Sequence, residues 1–465
     1  MNTISLMIAA GMLAGSWNID DDLGKQEFWE SDSMLLVSER KGLGFDFTSG
    51  EKNAADCRRA GAVKCFGFEA YETILRFGEE KGIETVELSL YNRGGVEELE
   101  MKDFGDGEKV RRLKRADRSL TRAEFMKLID EITANLTPKG AKAPKAEDGE
   151  MRTAKRKVKT RQWTKSRFGG GAELNWSYEQ EGNSDKTFDP GYIKLIVKCP
   201  AKDRKTRAKA ATKKTSSSSK KITENILKDS RGVFLDNVPM VDQGQKGYCS
   251  AATSERVLRY YGLDVDEHEI AQLAGTKAEG GTSTRAMKDS VEKIGKKYRL
   301  GTVVCYGDFE KSSSERIGGL NEEVAKYNKA AKKLKCKPIT EDVYIHREGN
   351  TTYYDPGAVD QAMEPKVLVE MKTKLPGFKK FKKDVVEQIN KGIPLFWGVK
   401  LGVAAEAEIP QTLGYHMRLI IGYNEKKGEV IYTDSWGAGH EFKKMRYDWA
   451  WTITKSLFYL KPLNR

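Results

Sequence analysis

A thiol, an imidazole, a carboxylate and a primary amide stand at spacings that suit acyl transfer. The thiol ends the stretch Gln243-Gly244-Gln245-Lys246-Gly247-Tyr248-Cys249. After it, Val257, Leu258, Tyr260 and Tyr261 recur at helical spacing. Cys249 is therefore expected where a loop enters a helix, and the positive end of the helix dipole favours thiolate over thiol. Gln243, upstream, has a side-chain N–H that can donate to a developing oxyanion. A free cysteine is also a common core residue, so the thiol alone does not specify a nucleophile.

The imidazole and carboxylate come from a second stretch. Gly414 to Asn424 and Val430 to Asp434 are β-rich runs around a polar turn ending in Gly428, which reads as a hairpin. With the turn centred on Glu425, His416 would oppose Asp434, and both would point to one face. Opposed Cβ atoms lie roughly 4.5–5.5 Å apart, close enough for the carboxylate to hold the imidazole in one tautomer. Trp436 is placed to cover that contact, and an amide in place of Asp434 should still accept the imidazole N–H. His440 is the rival base. His416 is preferred because it opens an apolar strand with an acid across the turn. His268 reads as a surface residue, and His346 as structural or solvent-facing.

Together these motifs resemble the papain-like cysteine peptidases, and within them the C39-like family. The resemblance rests on Gln243-Gly-x-x-Gly-x-Cys249, on His416 before an apolar strand, and on Asp434-Ser435-Trp436-Gly437. It extends to Val238-Pro239-Met240, Tyr260-Tyr261-Gly262, Leu273-Ala274-Gly275 and Gly281-Thr282-Ser283, and covers roughly residues 233–462. Cys249-Ser250-Ala251 stands where that family usually has Cys-Gly-Pro, and Asp434 where papain has Asn. The resemblance implies an α+β, papain-like fold with a helical part carrying the nucleophile and an antiparallel sheet. It also implies a Cys249–His416–Asp434 triad with Gln243 in the oxyanion hole. The substrate would be a peptide or protein. Two other classes fit the same residues: a peptidase-like binding module without catalysis, and an acyl transferase with an amine acceptor.

The rest of the chain sets the context. It has 465 residues and a net charge of +13. The length predicts two domains. The positive excess concentrates in low-complexity runs rather than in an aromatic-interleaved motif, so no specific nucleic-acid partner is expected. The basic linker is the part suited to an anionic surface. Cys57 and Cys65 lie close enough in sequence to pair, but no dense cysteine framework supports a disulfide. No CxxC or HxxxH spacing calls for a metal, and no cofactor is expected. Residues 1–16 have the apolar core and small-residue end of a secretory signal, implying a secreted or cell-envelope protein. No other stretch suits a membrane helix.

Residues 17–200 read as a separate strand-rich domain with a basic loop near 138–166. Met34–Val37, Leu43–Phe47, Thr85–Tyr91, Ala172–Tyr178 and Tyr192–Cys199 are its expected strands. Thr121-Arg122-Ala123-Glu124 is a capping box before a helix whose face is Phe125, Leu128, Ile129 and Ile132. Residues 201–230, rich in Lys and Ser, are the expected linker. The peptidase-like domain then spans 231–465. It includes helices near 265–273, 285–294, 312–335 and 379–391 and strands at 302–306 and 394–399, with Cys305 in a core position.

Overall fold

The computed structural model describes residues 16–463, apart from 49–51, 79–81, 93–95, 104–108, 116–119, 150–151, 153–154, 183–184, 201–221, 244–247, 264, 266, 275–283, 308–312, 350, 407–413 and 438. The expected signal segment up to residue 15, most of the linker, the glycine-bearing loop before Tyr248 and the Gly281–Ser283 turn thus lie outside the described residues.

Among the described residues, the N-terminal part forms an eight-stranded antiparallel sheet. Its order is Glu147–Asp148, Arg156–Trp163, Ala172–Glu179, Asp189–Lys198, Ile83–Asn92, Glu72–Phe77, Ala54–Cys57 and Asp46–Phe47. The helix Arg122–Leu136 starts at the capping box, where Thr121 Oγ1 accepts from Glu124 N and the Glu124 carboxylate accepts from Thr121 N. Its Phe125, Ile129, Ile132 and Leu136 are buried in one apolar cluster with Leu88, Leu174 and Leu195 of the sheet.

Three expectations fail here. Of Leu43–Phe47 only Asp46–Phe47 is a strand, after a 3-10 turn at Lys41–Leu43. Met34–Val37 is not a strand but lies in the helix Ser33–Arg40. Asp32 caps that helix, accepting from Met34 N at 2.9 Å and Leu35 N at 3.1 Å. Only Leu36 and Val37 of the apolar run turn inward; Leu35 is 61 % exposed. The basic stretch 138–166 is not all loop, because Arg156–Trp163 is a strand with partners on both sides. Its backbone bonds are satisfied laterally, so alternate polar side chains can face water. All six cysteines are free.

The C-terminal part has its own sheet, antiparallel throughout, ordered Ile226–Asp229, Gly232–Leu235, Gly414–Asn424, Leu395–Leu401, Thr454–Pro462 and Leu300–Tyr306. Glu429–Thr433 and Lys443–Arg446 extend it beside Gly414–Asn424. The edge strand Leu300–Tyr306 leaves Val303 and Val304 exposed and Cys305 half-buried, so Cys305 is not a core residue.

The helix Cys249–Tyr260 packs across the sheet, its Thr253 hydroxyl donating to the Met417 carbonyl at 3.2 Å. Its end explains the Tyr-Tyr-Gly motif. Leu263 N donates to Leu258 O at 2.9 Å and Gly262 N to Arg259 O at 2.8 Å, the paired bonds of a Schellman cap. Gly262 has φ +79°, a left-handed conformation that glycine adopts without steric cost.

The two parts meet largely through polar contacts, with Val158 packed in the C-terminal apolar cluster. Tyr192 donates to Glu269 at 2.9 Å, and Arg156 to the Gln272 carbonyl at 2.9 Å. His268, expected at the surface, is buried in this contact with Nε2 3.1 Å from Glu72 Oε2. A single chain segment does not reveal that a second sheet will cover it. His346 sits exposed on the hairpin Ile345–Glu348/Thr351–Tyr354.

Candidate active site

Cys249 is the first residue of its helix, with Tyr248 at the N-cap. The four leading N–H groups of a helix lack intrahelical acceptors, which favours negative charge at this end. Burial pushes the thiol pKa up, but the hydrogen bond and charge of His416, then the backbone of Met417, outweigh it and lower the pKa below its ordinary value.

His416 lies on the strand Gly414–Asn424 and is buried. Its Nε2 is hydrogen-bonded to Asp434 Oδ1, which leaves Nδ1 for the Cys249 thiol. Burial disfavours the imidazolium, yet the Asp434 carboxylate overrides it and the pKa is pushed up to about 9. Desolvation likewise opposes the Asp434 carboxylate, and His416 and Arg418 hold it well below the usual carboxylate range. Trp436 stacks on the imidazole with ring centroids 4.3 Å apart and planes 14° from parallel.

The hairpin register differs from the one expected. Asn424 pairs Glu429, and a bulge between Ile420 and Gly422 shifts the ladder so that Leu419 pairs Thr433. Extending that register puts Arg418, not His416, opposite Asp434. Arg418 Nε donates to Asp434 Oδ2 at 2.8 Å, and His416 reaches Oδ1 from two residues along the same face. Ser435 N adds a third bond, to Oδ1 at 2.9 Å. The carboxylate therefore accepts on both oxygens.

Gln243 is buried and tied to the segment after Asp434. Its N donates to Ser435 O at 2.9 Å, and its Oε1 accepts from the Ser435 hydroxyl at 2.7 Å. The latter bond fixes Nε2 as the donor end of the amide. His440 enters through its backbone, its carbonyl accepting from Asp434 N at 2.9 Å and from the Thr433 hydroxyl at 3.0 Å. Its ring meets Trp436 edge-on.

Three site residues were missed in the sequence. Arg256 donates to Pro239 O, Asp434 O and Thr433 Oγ1, each at 2.7 Å, binding the nucleophile helix to both loops. Arg418 pairs with Asp434 and, through Nη1, with Glu406 at 2.9 Å. Signals existed for both arginines. Cys249, Thr253 and Arg256 share one helix face at i, i+4, i+7, and Arg418 shares the strand face of His416. Glu406, outside any element, had no such signal.

Among the described residues, one group could hold a cation with mutually close ligand atoms: Glu72, Glu267 and His268. Arg58 already puts a guanidinium there, paired with Glu72 and 3.6 Å from Glu267 Oε1.

Residues 323–459 match the model described as the Peptidase C39 like family. The matched stretch contains His416 and Asp434 and begins after Cys249. The resemblance to C39-like, papain-like cysteine peptidases read from the motifs is thus supported independently. Xylellain, a cysteine protease from Xylella fastidiosa, is similar over 53% of this chain and 90% of its own, at 13% identity and a TM-score of 0.23, a likeness too weak to bear on function. No curated protein matches the chain.

Proposed function

We propose that residues 231–465 form a cysteine peptidase in which Cys249 is the nucleophile, His416 its base and acid, Asp434 the orienting acid and Gln243 an oxyanion donor. The observation that carries this reading is His416 bonded on one side to Cys249 and on the other to a buried carboxylate. The Cys249 thiolate attacks the scissile carbonyl carbon, and the π electrons move to oxygen. Gln243 Nε2 and the Cys249 N–H stabilise that charge. Collapse expels the amine, which takes the Nδ1 proton of His416. Water then attacks the thioester with His416 as base, releasing the acid and restoring the thiolate.

The test is thiol labelling. Iodoacetamide should modify Cys249 ahead of the other five cysteines at mildly acidic pH, and His416→Ala should abolish the preference. Equal labelling of all six would sink the reading. Products formed with an added amine distinguish hydrolysis from acyl transfer.

The same proposal places residues 17–200 in a unit of their own. The joining segment is shorter than the expected 201–230, because Ile222 packs in the C-terminal core and Ile226–Asp229 is a strand of its sheet. The closed apolar cluster from Trp17 to Val197 supports it. Residues 1–16 are a cleaved signal directing the protein to the cell envelope or outside, and the basic linker is where an anionic surface would bind.

A further inference from the structure

We infer that Arg58, in the N-terminal part of the chain, is a positioning residue for the Gln243 oxyanion donor. The inference rests on the peptidase reading above and adds to it a dependence on a part of the chain that the family resemblance does not cover.

The geometry centres on one peptide unit. Arg58 Nη2 donates to the carbonyl oxygen of Asp242. That carbonyl belongs to the peptide group whose N–H is that of Gln243, and this N–H donates to Ser435 O at 2.9 Å. The peptide is planar, so bonds at both ends fix its orientation and the position of the Gln243 Cα, from which the side chain reaches the Ser435 hydroxyl. Asp242 and Gln243 lie in no helix or strand, so no ladder of backbone bonds does this for them. A charged donor on the carbonyl also polarises the peptide and strengthens the bond at its far end. On the far side, Asp242 is confined by Gly437, where a Cβ would stand 2.4 Å from Asp242 Oδ2.

Arg58 is itself immobilised. Its Nε donates to Asp56 Oδ2 at 2.7 Å, its Nη1 pairs with Glu72, and Glu267 Oε1 stands 3.6 Å away. Glu267 opens the helix Glu267–Ala274 and is anchored by its N–H donating to Glu255 Oε2 of the nucleophile helix at 2.7 Å. One guanidinium fork thus joins the N-terminal sheet, the helix after Cys249 and the strap carrying Gln243. A planar fork can serve three directions at once; an ammonium on a flexible stem cannot hold the same geometry.

The experiment separates attack on a carbonyl from reactivity of the thiol. Alkylation by iodoacetamide needs the thiolate but no oxyanion hole. Single-turnover acylation by a peptide ester needs both. Arg58→Lys keeps a cation among the three carboxylates, so the fold is retained while the fork to Asp242 is lost. It should leave the pH profile of Cys249 alkylation unchanged and lower acylation by on the order of 10- to 100-fold, a part of what deleting an oxyanion donor costs. Gln243→Ala should show the same signature. In the Gln243→Ala background Arg58→Lys should lower acylation no further, because the group it positions is gone. Arg58→Met combined with Glu72→Gln, which removes one charge of each sign, repeats the test without a buried cation and should behave alike.

Normal acylation in both Arg58 variants overturns the inference. So does an equal loss with and without Gln243, or a shift of the alkylation profile in step with acylation; each marks a general structural role. If wild-type Cys249 shows no preferential alkylation, it is the peptidase reading that falls.

Discussion

At Asp434 the difference between a carboxylate and an amide is set by how many donors it faces. His416 Nε2 and Ser435 N reach Oδ1, and Arg418 Nε reaches Oδ2. An amide offers one acceptor oxygen, so its NH₂ must then face a donor. Asp434→Asn is therefore expected to be poorly tolerated here, unlike the tolerance expected from the sequence. It should lower single-turnover acylation by on the order of 10⁴-fold, the scale seen when a triad loses its orienting acid. Adding Arg418→Gln, whose Oε1 can accept from the new amide, should recover part of the loss. Full activity in Asp434→Asn would show that Arg418 does not constrain the carboxylate. The pH dependence follows from His416. Its folded pKa is raised from 6.5 to about 9, so the ion-pair stabilisation is complete below pH 6.5 and is lost as pH rises through about 9. The acid that protonates the leaving amine disappears over the same range. Peptidase kcat/KM should fall on an alkaline limb near pH 9, and Asp434→Ala should move that limb downward.

At the scale of elements, the bulge between Ile420 and Gly422 decides which residue meets the acid. Gly422 pairs with Phe234 of the strand Gly232–Leu235 at close range: a Cβ there would lie 2.6 Å from Val233 O and from Phe234 Cβ. Gly422→Ala should destabilise the fold by roughly 1–3 kcal/mol through overpacking, read as a lower denaturant midpoint at unchanged m-value. Because the same strand carries His416, acylation should fall as well. An unchanged midpoint would mean that the two strands separate freely. The hairpin itself was legible from its β-rich runs and turn. The bulge was not read, although an isolated glycine inside a strand run, here Gly422, often marks one.

At the scale of the whole molecule, the two sheets share one polar contact surface, and its buried ion pairs lie next to the segment that holds Gln243. Among the described residues no helix is long and apolar enough to cross a membrane. Export is proposed on the N-terminal stretch alone. Intact-mass measurement of protein from the exported fraction should show roughly the first sixteen residues missing, since signal cleavage follows small residues. A retained Met1 there would contradict it.

The sequence by itself determined the local events. The helix entry at Cys249, the capping box at Thr121, the glycine stop at Gly262 and the β-rich runs around His416 all depend on neighbours within a few residues, and such patterns are written in the chain. It also carried the order of thiol, imidazole and acid from which the family resemblance was read. Only the tertiary structure decided which faces are covered. It turned His268 from a surface residue into a buried partner of Glu72. It made a strand of Arg156–Trp163, and it put Arg418 opposite Asp434 and Arg58 on the peptide before Gln243. The His268–Glu72 and Arg58–Asp242 contacts join segments far apart in sequence, whereas the strand and the hairpin register depend on how neighbouring runs pair. In both cases the energy appears only once the partners have lost their water.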